Sequence, residues 1–379
     1  MKLYWLIFIV ISLLACQNRE FPNGYNLIAT EHYLSFPIDD ETKLPYHVVD
    51  FEDHGKKYIS FLNGWKELLI YDVEQEKLVK KITFEDLTSR NNGNEISSYN
   101  ILDFNTIFLS TGYGNRLYLT DTTARTISQI LYLETSEGQS LIPTLYPPII
   151  INDNSIYLHQ GINRKYGKNC MGQSPLGAMV DTLLKKITAT PLCYLNLYSN
   201  EELAYSTHGN RNWCCYDGKR LLYSYDTKDS LITLDTNFKQ RKSHWSKSRF
   251  IDDVSSGSNF NWNLNQILKK TCESPSYGNI IYDKYRNVYY RIAYPEVDFE
   301  RDEDFLAVFR GGRKQFSIII LDEDLNVVGE TLFPPYTYNP KVLFVDKDGL
   351  YISISHYKRE DYSDDWLRFQ RIDLVEMMQ

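Results

Sequence analysis

Short apolar runs, broken by turns that contain aspartate, recur along the whole chain and read as β-strands. Six copies stand at Val49-Asp50-Phe51, Leu102-Asp103-Phe104, Asn152-Asp153-Asn154, Tyr216-Asp217-Gly218, Tyr282-Asp283-Lys284 and Val345-Asp346-Lys347. An apolar run precedes each, as in Tyr46-His47-Val48-Val49, and a strand follows, as in Ser155-Ile156-Tyr157-Leu158. Aspartate suits such turns because its carboxylate accepts from backbone amides two residues on. The copies lie from about fifty to the mid-sixties residues apart, and self-similarity of that kind marks a repeat architecture.

A second set interlocks with the first: Ile70-Tyr71-Asp72, Leu119-Thr120-Asp121, Thr233-Leu234-Asp235, Ile320-Leu321-Asp322 and Arg371-Ile372-Asp373, with Tyr194-Leu195-Asn196 as an Asn variant. Each unit therefore reads strand, Asp-turn, strand, loop, strand, Asp-turn, strand. Six such units predict an all-β fold, a six-bladed β-propeller of four-stranded antiparallel blades. The run Glu31-His32-Tyr33-Leu34-Ser35-Phe36-Pro37 precedes the first unit and is expected to close the ring as the missing outer strand of the last. No linker interrupts the units, so residues 25–379 are expected to form a single β-propeller domain.

Composition narrows the function classes. Aromatics make up 14% of the chain, with 30 Tyr, as suits strands packed face to face. The net charge of −8 is spread without a basic block, which argues against a nucleic-acid partner.

At the N-terminus, Met1-Lys2 precedes an apolar run from Leu3 to Leu14, too short to span a bilayer and matching a secretory leader. Leu13-Leu14-Ala15-Cys16 resembles a bacterial lipobox. That resemblance implies a lipoprotein signal peptide over 1–15, a tether over 16–24, lipid on the Cys16 thiol and membrane attachment through it. With Gln17 rather than Asp after the cysteine, an outer-membrane lipoprotein is expected, facing the periplasm or the cell surface. Together with Tyr289-Tyr290-Arg291-Ile292-Ala293-Tyr294-Pro295, these features resemble the uncharacterised lipoprotein propellers of Bacteroides-type gut bacteria, grouped with TolB-like six-bladed propellers. The resemblance implies a fold and a location but no reaction.

Loop length points to a working face. Phe104-Asn105, Gly218-Lys219, Glu74-Gln75 and Glu323-Asp324 are tight, whereas the long excursions, 160–192, 241–275, 295–315 and 356–367, all fall on the opposite ends of the strands. Binding residues concentrate on long loops carried by rigid scaffolds. A ligand or partner protein is therefore expected on that face, a glycan, peptide or envelope protein, bound by a monomer without catalysis. Strand ends there offer His47, Asn100, His159, Asn212, Trp213, Asn279, Arg291, Tyr294 and His356, with Lys341 at another strand start. Arg291 could fork onto a carboxylate or phosphate and Trp213 stack on a ring. Substituting either is expected to weaken binding with little effect on stability.

The alternative is a propeller lyase or hydrolase acting on a glycan or ester, with a metal or histidine at the channel mouth. It requires His47, His159 and His356 to converge. The chain carries no His-Glu-x-x-His, Walker or dinucleotide signature, so no cofactor or metal is expected. The repeated aspartates read as turn caps, and the acidic runs at 300–304 and 360–365 as solvated loops.

Besides Cys16 the chain has Cys170, Cys193, Cys214, Cys215 and Cys272. An exported location permits disulfides, and a bridge between Cys170 and Cys193 would staple the ends of the third unit's loop. Cys214 and Cys215 are expected on opposite faces of one strand. Asp121-Thr122-Thr123, Asp181-Thr182-Leu183 and Asp229-Ser230-Leu231 resemble a short O-glycosylation acceptor motif.

Overall fold

A computed structural model describes residues 24–64, 66–84, 96–111, 116–132, 149–184, 186–208, 211–299 and 303–377. The leader, Cys16 and nearly all of the tether lie outside these residues. The described chain is all-β with a few short helices. Strand β1 (Tyr25–Pro37) is followed by a first four-stranded sheet of β2 (Val49–Asp53), β3 (Lys56–Asn63), β4 (Glu67–Asp72) and β5 (Lys77–Thr83). The second sheet holds β6 (Ile96–Asp103), β7 (Thr106–Thr111), β8 (Arg116–Thr120) and β9 (Thr126–Tyr132). The third holds β10 (Ile150–Asn152), β11 (Ser155–His159), β12 (Gly177–Asp181) and β13 (Lys186–Ala189). The fourth holds β14 (Asn212–Tyr216), β15 (Arg220–Tyr225), β16 (Ser230–Asp235) and β17 (Arg241–Trp245).

The remaining strands correct the expected architecture. β18 (Ser276–Asp283), β19 (Val288–Tyr294), β20 (Ser317–Leu321), β21 (Val327–Leu332), β22 (Asn339–Asp346), β23 (Gly349–Ser353) and β24 (Trp366–Glu376) join β1 in one mixed eight-stranded sheet, ordered β18-β19-β20-β21-β1-β24-β23-β22. Six separate four-stranded blades are therefore not what forms: there are five sheets, and the propeller reading fails on that count. The cause is β1. It pairs antiparallel with β24 from Tyr25↔Glu376 to Pro37↔Trp366, and it also meets β21 in parallel at Tyr25↔Gly329. Instead of completing one isolated unit, it welds two together. Gly329 makes this possible, because a Cβ there would lie 2.0 Å from the Tyr25 carbonyl oxygen. The Leu27 amide adds a bond to Thr331 Oγ1 at 2.8 Å.

The Asp-turns behave as expected in most copies. Asp217 Oδ1 accepts from the Lys219 and Arg220 amides, both at 2.8 Å, and Asp283 Oδ1 from Tyr285 and Arg286 at 3.0 and 3.1 Å. Asp50 is an exception: it lies within β2 opposite Ile59, and the turn falls at His54-Gly55, whose φ values of 50° and 75° suit a two-residue hairpin. The third unit departs too. Its third strand is β12, ending at Asp181, while 194–196 forms no strand.

Buried side chains fill layers between neighbouring sheets. Phe51, Leu68 and Ile70 meet Tyr99, Ile101 and Leu109 of the second sheet. Tyr157 of the third meets Leu221 and Tyr223 of the fourth. Leu222 and Leu231 meet Tyr277 and Tyr289, and Phe344 and Phe369 meet Phe61 and Tyr71. Burying large aromatics contributes roughly 1.5–3 kcal/mol per side chain. The long loops carry helices α1 (Cys170–Gln173), α2 (Leu264–Glu273) and α3 (Phe305–Gly311). An Asn263/Gln266 capping box starts α2, and Asp304 caps α3 by accepting from the Leu306 and Ala307 amides. No helix among the described residues is long and apolar enough to cross a membrane.

Candidate functional site

Connectivity places α2, α3, the start of β14, the end of β19, the start of β22 and the end of β23 at one end of the sheets, away from the Asp-turns. Three cations from three segments gather there. Arg211, just before β14, lies 4.9 Å over the Phe309 ring, and the Lys341 ammonium of β22 lies 4.1 Å over the same ring. Arg313, between α3 and β20, lies 4.8 Å over Tyr294. Burial dominates the electrostatics of Lys341 and Arg313. It lowers Lys341 to about 7, with Arg211 and Arg313 pushing the same way and the Cys272 thiol opposing. It lowers Arg313 to about 10 and raises Tyr294 to about 12.

The residues named from sequence fare unevenly. Tyr294 and His356 border this group. His356 is fully buried, its Nε2 donating to the Gly312 carbonyl at 3.2 Å while Nδ1 accepts from the Lys358 amide at 3.2 Å. Those two bonds fit only the neutral ring, and burial holds its pKa at about 4. His356 thus anchors the backbone that presents Arg313. Gly312 itself has φ 112°, and a Cβ there would come within 3.0 Å of the Tyr338 carbonyl.

Arg291 lies away from this group and makes its bonds within the chain. Its side chain is fully buried in the interior and donates to Ser224 Oγ (3.1 Å), the Ser246 carbonyl and hydroxyl (3.0 and 2.7 Å) and the Lys228 carbonyl (2.5 Å), 3.7 Å over the Tyr277 ring. Trp213 is half-buried against the apolar layer between the fourth and eight-stranded sheets. Asn279 Oδ1 accepts from the Ile280 amide at 2.9 Å. Asn100 binds the Ile149 carbonyl and accepts from the Ile101 amide, tying the second sheet to the third. Buried His159 pairs with Asn212, and His47 lies 6.0 Å from the Tyr99 ring. Burial lowers both histidines to about 4.

The three histidines therefore engage three different sets of partners. Among the described residues, no group of three or more His, Cys, Asp or Glu side chains could hold a metal. Cys170 and Cys193 are free thiols, like the other three described cysteines. The ends of their loop are held by a Pro175↔Cys193 backbone bridge instead. Cys214 and Cys215 do face opposite layers.

Arg211 and Arg313 were missed because neither sits at a recognisable strand end. Lys341 was visible at one, but nothing in sequence joined it to the others.

The family profile described as "Domain of unknown function (DUF4221)" matches residues 25–332. The chain belongs to this family. A crystal structure of a DUF4221 member from Bacteroides vulgatus ATCC 8482 is similar over 94% of this chain and 99% of its own, with 25% identity and a TM-score of 0.75. A streptogramin B lyase structure aligns over 92% of this chain and 98% of its own at 9% identity, with a TM-score of 0.46, too low to bear on function. No curated protein matches the sequence. Family membership matches the expected kinship with Bacteroides-type proteins and supplies no activity for the DUF4221 fold.

Proposed function

We propose that this DUF4221 protein is a lipid-anchored cell-envelope protein that binds a ligand or partner at the long-loop end of its sheets. One observation carries the binding part: Arg211, Arg313 and Lys341 arrive from separate segments at one place with no carboxylate among the described residues within ion-pair distance. Gathering like charges in a partly buried setting is unfavourable for folding. Such a group makes sense as a receptor for something outside the chain. The lipobox-like Leu13-Leu14-Ala15-Cys16 supports the anchor, and a glycan, peptide or envelope protein remains the expected class of occupant.

The test is a thermal-shift and calorimetric panel of glycans and peptides on the purified protein, repeated on two exposed-residue variants. Phe260 is 58% exposed among the long loops, and Leu183 is 72% exposed at an Asp-turn on the opposite end. Binding weakened by Phe260→Ala and kept by Leu183→Ser supports the reading. The reverse pattern would place the interaction on the other end and sink it.

A further inference from the structure

Elsewhere in the molecule several arginines have carboxylate partners. Arg220 pairs with Asp217 at 2.9 Å, Arg286 with Asp283 at 2.8 Å, Arg359 and Arg368 with Asp361 at 2.8 and 3.1 Å, and Arg371 with Asp373 at 3.0 Å. Arg211, Arg313 and Lys341 have no such partner among the described residues. Glu273, beside Cys272 at the end of α2, pairs with Lys269 and Lys270 at 3.9 and 3.3 Å.

Hydrogen-bond accounting separates the three. Arg313, 4% exposed, is held by the Cys272 carbonyl (2.7 and 3.2 Å), the Ser274 carbonyl (2.5 Å) and Ser276 Oγ (2.8 Å), so its position is set by the end of α2. Arg211 makes one bond among the described residues, to the Thr207 carbonyl at 3.3 Å, although a guanidinium carries five N–H donors. Among the described residues the Lys341 ammonium donates to the Phe309 carbonyl alone. Open donors thus face a fixed positive charge.

A second observation is independent of these. His208 is 1% exposed, yet neither ring nitrogen has a partner among the described residues. Burial, with the charges of Arg211 and Arg313 within reach of the ring, holds its pKa well below the ordinary histidine value. Buried polar groups are bonded in the great majority of cases, and an exception calls for an unseen partner. A neutral imidazole supplies one N–H beside the two arginines, a donor set that suits an anion.

We infer that Arg211, Lys341 and His208, backed by Arg313, form an oxyanion site that takes the carboxylate, sulfate or phosphate group of a ligand. Arg211 and Lys341 would contact the oxygens, with Arg313 as the oriented charge behind them. Charge-assisted bonds of this kind are shorter and stronger than neutral ones. The inference rests on the proposed binding role and names the chemistry recognised at the same end.

The experiment titrates the purified protein with sodium acetate, sulfate and phosphate, ionic strength being held constant with chloride. At least one oxyanion is expected to raise the melting temperature saturably, and the preferred one identifies the source. Lys341→Met and Arg211→Gln should each weaken that anion at least tenfold, whereas Lys80→Met, an exposed change on β5, should leave it unaltered. Without anion, Lys341→Met should melt no lower than the parent, because it removes an unpaired cation. Either of two results overturns the inference: no anion effect beyond chloride, or a large loss of unliganded stability in both variants, which would mark the cations as structural. A glycan or peptide still lost on Phe260→Ala but indifferent to Lys341→Met and Arg211→Gln would leave the binding role standing without the oxyanion site.

Discussion

At the scale of single residues, Arg291 and Lys341 show how surroundings assign a role to the same kind of charge. Arg291 bonds the buried Ser224 hydroxyl and the carbonyl and hydroxyl of buried Ser246. Arg291→Ala would strand them, at about 1–3 kcal/mol for each group left unsatisfied. Urea unfolding of that variant is expected to show a loss of at least about 3 kcal/mol, while anion titration of its folded fraction stays unchanged. Lys341 behaves otherwise. Its pKa is held at about 7 by burial, with Arg211 and Arg313 facing it as fixed charges and the Cys272 thiol nearby. The folded chain therefore gives up above pH 7 a proton that the unfolded chain keeps. This group's penalty is full below about pH 7 and is relieved as pH rises towards the ordinary lysine range. Anion affinity should run the opposite way, strongest below pH 7 and falling as pH rises through it. Calorimetry between pH 6 and 9, roughly the span over which a lysine shifted this far titrates, reads that slope, and Lys341→Met should flatten it.

At the scale of elements, β1 decides more than its length suggests. Its pairing with β24 could have been met by any apolar strand, but its contact with β21 depends on Gly329 having no side chain. Gly329→Val is expected to push the two strands apart at a cost of about 1–3 kcal/mol, with faster hydrogen exchange at the Leu27 amide than in the parent. Unchanged protection there would mean that β1 is held by β24 alone. The Asp-turns also work between sheets as well as within them. Arg220 bonds Asp217 at 2.9 Å and reaches the Glu323 carbonyl at 2.7 Å, while Tyr289 donates to Asp217 at 2.7 Å. Asp217 thus caps its own hairpin and ties the fourth sheet to the eight-stranded one.

At the scale of the whole molecule, neutral buried histidines set an acid limit. His47, His159 and His356 are all held near 4 by burial, below the ordinary histidine value. Their folded forms resist a proton that the unfolded chain accepts, so stability is complete above about pH 6.5 and falls as pH drops towards 4. For the buried pair His159 and His356 this amounts to at most about 3 kcal/mol each. Melting temperature measured from pH 7 to 4, roughly the window just derived, should decline most steeply between 6.5 and 4; a flat profile would contradict the buried neutral assignment. Strand periodicity and Asp-turn chemistry are local, set by alternating apolar residues and by a carboxylate within reach of its own backbone. That is why the all-β class, the turns at Asp217 and Asp283, the opposed faces of Cys214 and Cys215, and the long loops at one end were legible in the chain itself. The number of sheets was not, because it turns on one close approach between residues 25 and 329. Nor was the cation group: Arg211, Arg313 and Lys341 are far apart in sequence, and only tertiary packing around Phe309 and Tyr294 brings their charges together, with no carboxylate pairing them among the described residues.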